Sequence, residues 1–120
     1  MIAVIFEAWV PGEAQTEYLD LAAELRPLLA DRDGFISIER FRSLTTPGKV
    51  LSLSFWRDEA AVAAWRNLAE HRRVQAAGRD HVFADYHLRI AAVTRDYTMT
   101  SRSEAPKDSR AIHKEETDQV

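Results

Sequence analysis

Cysteine is absent from the 120 residues. Disulfides, thiolate nucleophiles and zinc or iron–sulfur sites held by Cys are therefore excluded. A basic excess is also missing: 16 Lys and Arg face 19 Asp and Glu, for a formal charge of −3. No nucleic acid partner is expected from that balance. No run approaches the roughly 20 apolar residues that span a bilayer, so no membrane partner is expected. A charged start leading into an apolar leader is missing as well, which makes the cytoplasm the expected address. Glycine-rich phosphate loops do not occur, and neither does a Gly-x-Ser-x-Gly nucleophile elbow. The four histidines form no His-x-His or His-x-x-x-His pair, so no metal site is expected.

What is present divides the chain in two. Residues 1–97 hold nearly all the apolar side chains and are expected to be the folding unit. From Thr98 onward only Met99, Ala105, Ala111, Ile112 and Val120 are apolar. Residues 98–120 therefore read as a polar C-terminal tail, unable to offset its own ordering entropy. It is either a solvated extension or an arm along a partner subunit.

Within the unit, Met1 to Trp9 is β-branched and aromatic and stops at Pro11-Gly12, as a buried strand does. Tyr18, Leu21, Ala22, Leu25, Leu28 and Leu29 recur at helical spacing. Pro27 falls inside that helix, where it removes a backbone bond and tends to bend the chain. Phe35–Ser43 and Val50–Trp56 predict a hairpin around Thr45-Thr46-Pro47-Gly48. Asp58 predicts an N-cap, Glu59 to Ala77 one alanine-rich helix, and Gly78 its C′ stop. Val82 to Tyr97 predicts an over-long last strand. The order βαββαβ predicts an α+β, ferredoxin-like domain: an antiparallel sheet with two helices on one face. Yet Ile2, Val4, Phe6 and Ala8 occupy one parity of the first strand and Ala3, Ile5 and Trp9 the other. Two helices cover one face only, so the second face predicts a homodimer.

Three groups of side chains bear on chemistry. Trp65, Asn67, Leu68, His71 and Arg72 share the second helix, and an indole beside an imidazole suits an apolar pocket with one titratable group. The same residues also suit a packed Trp and a hydrogen-bonded His at a helix end. Glu7 is the one charge in an apolar strand; it is either paired with an arginine such as Arg40 or Arg89, or a base or ligand anchor. Residues 66–95 are rich in arginine and histidine, including His87 and Arg89, and form either an anion-attracting patch or a solvated face.

Gly34-Phe35-Ile36-Ser37-Ile38-Glu39-Arg40-Phe41, then Ser54-Phe55-Trp56-Arg57-Asp58-Glu59-Ala60, then Trp65 with His71, resembles the antibiotic biosynthesis monooxygenase superfamily. The resemblance spans roughly residues 1–97. It implies a dimeric α/β barrel and oxidation of a small aromatic, phenol- or hydroquinone-like substrate by O₂ without a cofactor. It implies His71 or Glu7 as the catalytic base. Trp65 would stack on the substrate with Asn67 and Leu68 beside it, and Arg40, Arg89 and His87 would receive its anion. Two alternatives come with it: haem binding or degradation with His71 as axial ligand, and a non-enzymatic dimeric binding protein. Members of the haem-degrading branch carry an asparagine on strand one. This strand has none, and Glu7 stands in that neighbourhood.

Overall fold

The computed structural model describes residues 1–112; residues 113–120, the end of the expected tail, lie outside the described residues. The elements run β1 (Ile2–Trp9), α1 (Gln15–Ala30), β2 (Phe35–Arg42), β3 (Lys49–Trp56), α2 (Glu59–Arg66), α3 (Ala69–Ala77), β4 (Asp85–Ala92) and α4 (Lys107–Ile112). The four strands form one antiparallel sheet in the order β2-β3-β1-β4. This is the ferredoxin-like α+β arrangement that the strand order predicts.

Strand parity decides what each face does. Ile2, Val4, Phe6 and Ala8 point to the helices, as do their register partners Trp56, Ser54, Ser52 and Val50 on β3. Two packed clusters result. Ala8, Val10, Tyr18, Val50 and Val82 close one end, with the rings of Phe6, Phe83 and Tyr86 against them. Leu29, Trp56, Ala61, Val62 and Trp65 close the other. A register shift between Phe35 and Ser37 lets both Phe35 and Ile38 reach the second cluster, and turns Ile36 outward. The tight turns need left-handed glycines at Gly34 (φ 81°) and Gly48 (φ 79°). A Cβ on Gly34 would also lie 2.6 Å from that of Ala61, so the loop before β2 packs directly on α2.

Three expectations change. The single helix over 59–77 is two helices: α2 ends at Asn67, and Leu68 is extended (φ −65°, ψ 135°) before α3 begins. Asn67 breaks it by bonding its own side chain to the Ala63 carbonyl (2.9 Å) and accepting from Arg72 (2.9 Å). Gly78 is not a left-handed stop. It is helical (φ −60°, ψ −48°) and opens a wide π turn, Gly78–Val82. It is glycine because a Cβ would meet the Phe83 ring at 2.6 Å. The last strand is eight residues, not sixteen. Among the described residues its only neighbour is β1, and once Val93 N–H has bonded the Met1 carbonyl (3.0 Å) that strand has run out. Asp58 does cap α2, accepting from Ala61 N–H at 2.9 Å.

Beyond the sheet, residues 98–112 turn back on the continuation of β4. Glu104 accepts from Asp96 N–H (2.7 Å) and Arg95 (3.2 Å), and Arg102 lies 4.8 Å over the Tyr97 ring. No helix among the described residues is long and apolar enough to cross a membrane.

Candidate functional site

The break between α2 and α3 builds the most chemically pointed corner of the molecule. On one straight helix, six residues separate Trp65 and His71 by about 120° around the axis. The extended residue at Leu68 re-aims α3, and the two rings come together with centroids 4.8 Å apart. Trp65 is buried, its ring 6.3 Å from Trp56, whose Nε1 donates to Ser54 Oγ at 3.0 Å. Leu68 packs on the same cluster. One side of this corner is incomplete. Leu88 and Ile90 have the helix-facing parity of β4, opposite Phe6 and Val4, yet stay 45% and 44% exposed. The helical layer leaves these two apolar side chains half-exposed along this edge. The sequence pattern puts both on one apolar parity of the last strand, but nothing in it marks them as site residues.

His71 is half-buried, and burial pushes it below the ordinary imidazole value; the charge of Arg72 acts in the same direction. Its Nδ1 faces the Arg66 carbonyl at 3.4 Å, which raises the pKa by less than burial lowers it. With Nδ1 as the donor, Nε2 carries the free lone pair. A neutral imidazole of this kind accepts a proton at neutral pH. Asn67 stands beside it as the residue that holds the break.

Glu7 is on the other face of the sheet. Lys49 Nζ lies 2.9 Å from it and Arg89 Nη1 2.6 Å, and these two bonds hold its carboxyl down at about 2. His87, its register partner on β4, has Nδ1 3.2 Å from Arg89 Nη2. Lys49 also sits 5.1 Å over the Trp9 ring. The expectation of Glu7 as a base is corrected by this geometry, because a carboxylate fixed as an anion between two cations does not take up a proton near neutral pH. It does not share a pocket with His71, and neither do Arg89 and His87. Arg40 is also elsewhere: it has the helix-facing parity of β2, but near α1 and Val50, at the opposite end of the core from Trp65. The expected set therefore splits into Trp65, Leu68 and His71, positioned by Asn67; Glu7, Arg89 and His87; and Arg40 alone. No group of His, Asp or Glu among the described residues could hold a metal ion.

A four-stranded antiparallel sheet with its helices on one face defines a small ferredoxin-like α+β protein. The chain belongs to the antibiotic biosynthesis monooxygenase family, whose model matches residues 1–77. Among its relatives, jasmonate monooxygenase ABM of Pyricularia oryzae is 45% identical over all 120 residues. The chain spans only 54% of that protein's length. Uncharacterized protein YqjZ of Bacillus subtilis is 33% identical over 93 residues, 78% of this chain and 79% of its own. Solved structures agree in fold. A putative antibiotic biosynthesis monooxygenase from Deinococcus radiodurans superposes with a TM-score of 0.74 at 15% identity, covering 82% of this chain and 98% of that one. A variant of SnoaB, a cofactor-independent oxygenase from Streptomyces nogalater, does so with 0.69 at 14% identity, covering 79% and 94%.

Proposed function

We propose that this chain is a cofactor-independent monooxygenase that oxidises a small organic molecule with O₂ beside Trp65 and His71. The observation that carries the reading is the half-buried His71, with Nδ1 facing a backbone carbonyl and its ring against Trp65. For a phenol or hydroquinone, His71 Nε2 takes the hydroxyl proton. The ring anion delivers electrons to O₂, and a carbon–oxygen bond forms at a ring C–H as a hydroperoxide. Loss of that C–H proton expels the distal oxygen as water, leaving a quinone. One oxygen atom enters the product and one becomes water, and the substrate itself is the reductant. Trp65 orients the substrate by stacking, and the apolar walls strengthen the proton transfer by excluding water. No residue on the other sheet face takes part.

The likeness to a cofactor-independent oxygenase supports the route without cofactor. The similarity to a jasmonate monooxygenase adds jasmonate to the substrates to be tried. The test is oxygen uptake with hydroquinones, anthrones and jasmonate, with products followed by mass. Uptake no faster than the uncatalysed rate for every compound defeats the reading. The haem alternative rests on the same Nε2, which would serve as axial ligand and leave no free base. A haemin titration separates them: a Soret shift lost in His71→Ala favours haem.

The functional unit is proposed to be a homodimer in the cytoplasm. Ile5, Leu51, Leu53 and Phe55 line the uncovered face and are all only partly buried in the single chain. A stable dimer over this face would cover them. Light scattering should give twice the 13.7 kDa of one chain. Residues 1–97 are proposed as the enzyme and 98–120 as an appendage.

A further inference from the structure

A second place in the fold is built to receive a ligand, at the far end of the core from His71. An open groove of about 770 Å³ runs between the start of α1 and the β2–β3 turn, lined by Trp9, Val10, Gln15, Arg42 and Val50. A smaller pocket of about 170 Å³ continues it under α1 and shares Gln15, Arg42 and Val50 with it; Arg40 lines its inner part. The combined size is that of a small-molecule site.

Arg40 and Arg42 are two residues apart on β2, opposite Ser52 and Val50, so both project to the helix side. Among the described residues neither is in an ion pair. The Nε of Arg40 is buried with no hydrogen-bond partner, a state that costs free energy until an acceptor arrives. Glu17, on the α1 helix that covers the smaller pocket, is committed to His81 at 2.5 Å. Two adjacent guanidiniums without carboxylates suit a planar, bidentate anion. The mouth beside them is formed by Trp9, Pro11 and Pro47, with Ser43 and Lys49 also lining it.

The structure assigns this groove as a binding site for a small amphiphilic carboxylate, its anionic head on Arg40 and Arg42 and its apolar body along Trp9, Pro11 and Pro47. The site is separate from the proposed oxygenase corner and does not depend on it.

Calorimetry on the full chain tests it with 4-phenylbutyrate, its neutral amide and inorganic phosphate, so that no turnover is needed. The carboxylate should bind, with the amide and phosphate each weaker by about tenfold or more. Arg42→Gln, at an exposed position that the fold does not need, should weaken the carboxylate by about tenfold, and Arg40→Gln/Arg42→Gln further. His71→Ala should leave its Kd within about twofold. The assignment is overturned if the amide binds as tightly as the carboxylate, or if Arg42→Gln changes nothing. Phosphate binding as tightly would replace the amphiphile by a bare anion. Loss of binding in His71→Ala would move the carboxylate to the other corner.

Discussion

The two faces of the sheet handle ionisable groups in opposite ways, although β1 is apolar on both parities. On the helix side, His71 lies against an indole, and burial drives it toward the neutral form. On the open side, Glu7 lies among half-exposed apolar residues, and two cations hold it as an anion. Desolvation wins where no counter-charge is near; hydrogen bonds to Lys49 and Arg89 win where two are. A pocket for proton transfer needs the first condition. A surface that joins to another copy without leaving a lone buried charge needs the second.

The largest contrast is expected between neighbours on β3. Trp56 points to the helices and is 1% exposed, stacked edge-on by Phe35 and bonded to Ser54. Trp56→Ala should cost about 3–5 kcal/mol and leave little folded protein in a urea titration. Phe55 points the other way, opposite Ala3, and is only partly buried. Phe55→Ala should change chain stability much less and shift the oligomer equilibrium toward monomer in light scattering. Equal losses of stability in the two variants would erase the distinction between the faces.

His71→Ala should lower oxygen uptake by about 10²–10⁴-fold while the melting temperature stays close to wild type. The base must be neutral, so the rate should rise with pH through a value below 6.5 and level off above it. The folded protein holds this proton less tightly than the unfolded chain. Its contribution to stability is therefore fully present above 6.5 and is lost as pH falls through the lowered value. A rate that falls as pH rises through this range would assign the proton transfer to another group.

Asn67→Ala tests the break itself. It removes the bonds to Ala63 and Arg72 without touching either ring. A re-aimed α3 should lower uptake by about tenfold or more and move the pH profile toward the unperturbed imidazole value. An unchanged profile would make Asn67 a cap and nothing more.

That break marks where reading from residues stopped short. β2, β3 and α1 were legible because an alternation or a 3.6-residue period runs through them, and β1 because it is a continuous apolar, β-branched run closed by Pro11-Gly12. The parity that groups Glu7 with Ala3, Ile5 and Trp9 was legible too, as was an arginine partner, Arg89. The alanine-rich stretch 59–77 reads as one helix, and the side-chain bonds of Asn67 to Ala63 and Arg72 end it. The end of β4 depends on where β1 stops, which no local pattern encodes. The separation of Arg40 from Trp65 is likewise tertiary: Arg40 faces the helices and Trp65, on α2, faces the sheet, at opposite ends of the core.

The smallest effect is expected at Glu7. Glu7→Gln removes the anion between Lys49 and Arg89 but leaves the helix face untouched. Oxygen uptake should be preserved, since the group lies across the sheet from His71. The change should appear in acid instead. The carboxyl is lowered from 4.5 to about 2 in the folded chain, so its contribution is fully present above 4.5 and disappears as pH falls toward 2. The wild type should therefore lose stability through that window more steeply than Glu7→Gln, as followed by circular dichroism. In the single chain Lys49 and Arg89 keep part of their hydration, so the neutral-pH loss of chain stability should be slight, and a larger loss should appear only in the dimer, where the two cations lack their counter-charge. If Glu7→Gln instead abolishes turnover while remaining folded, the two faces share one site and the separation drawn here fails.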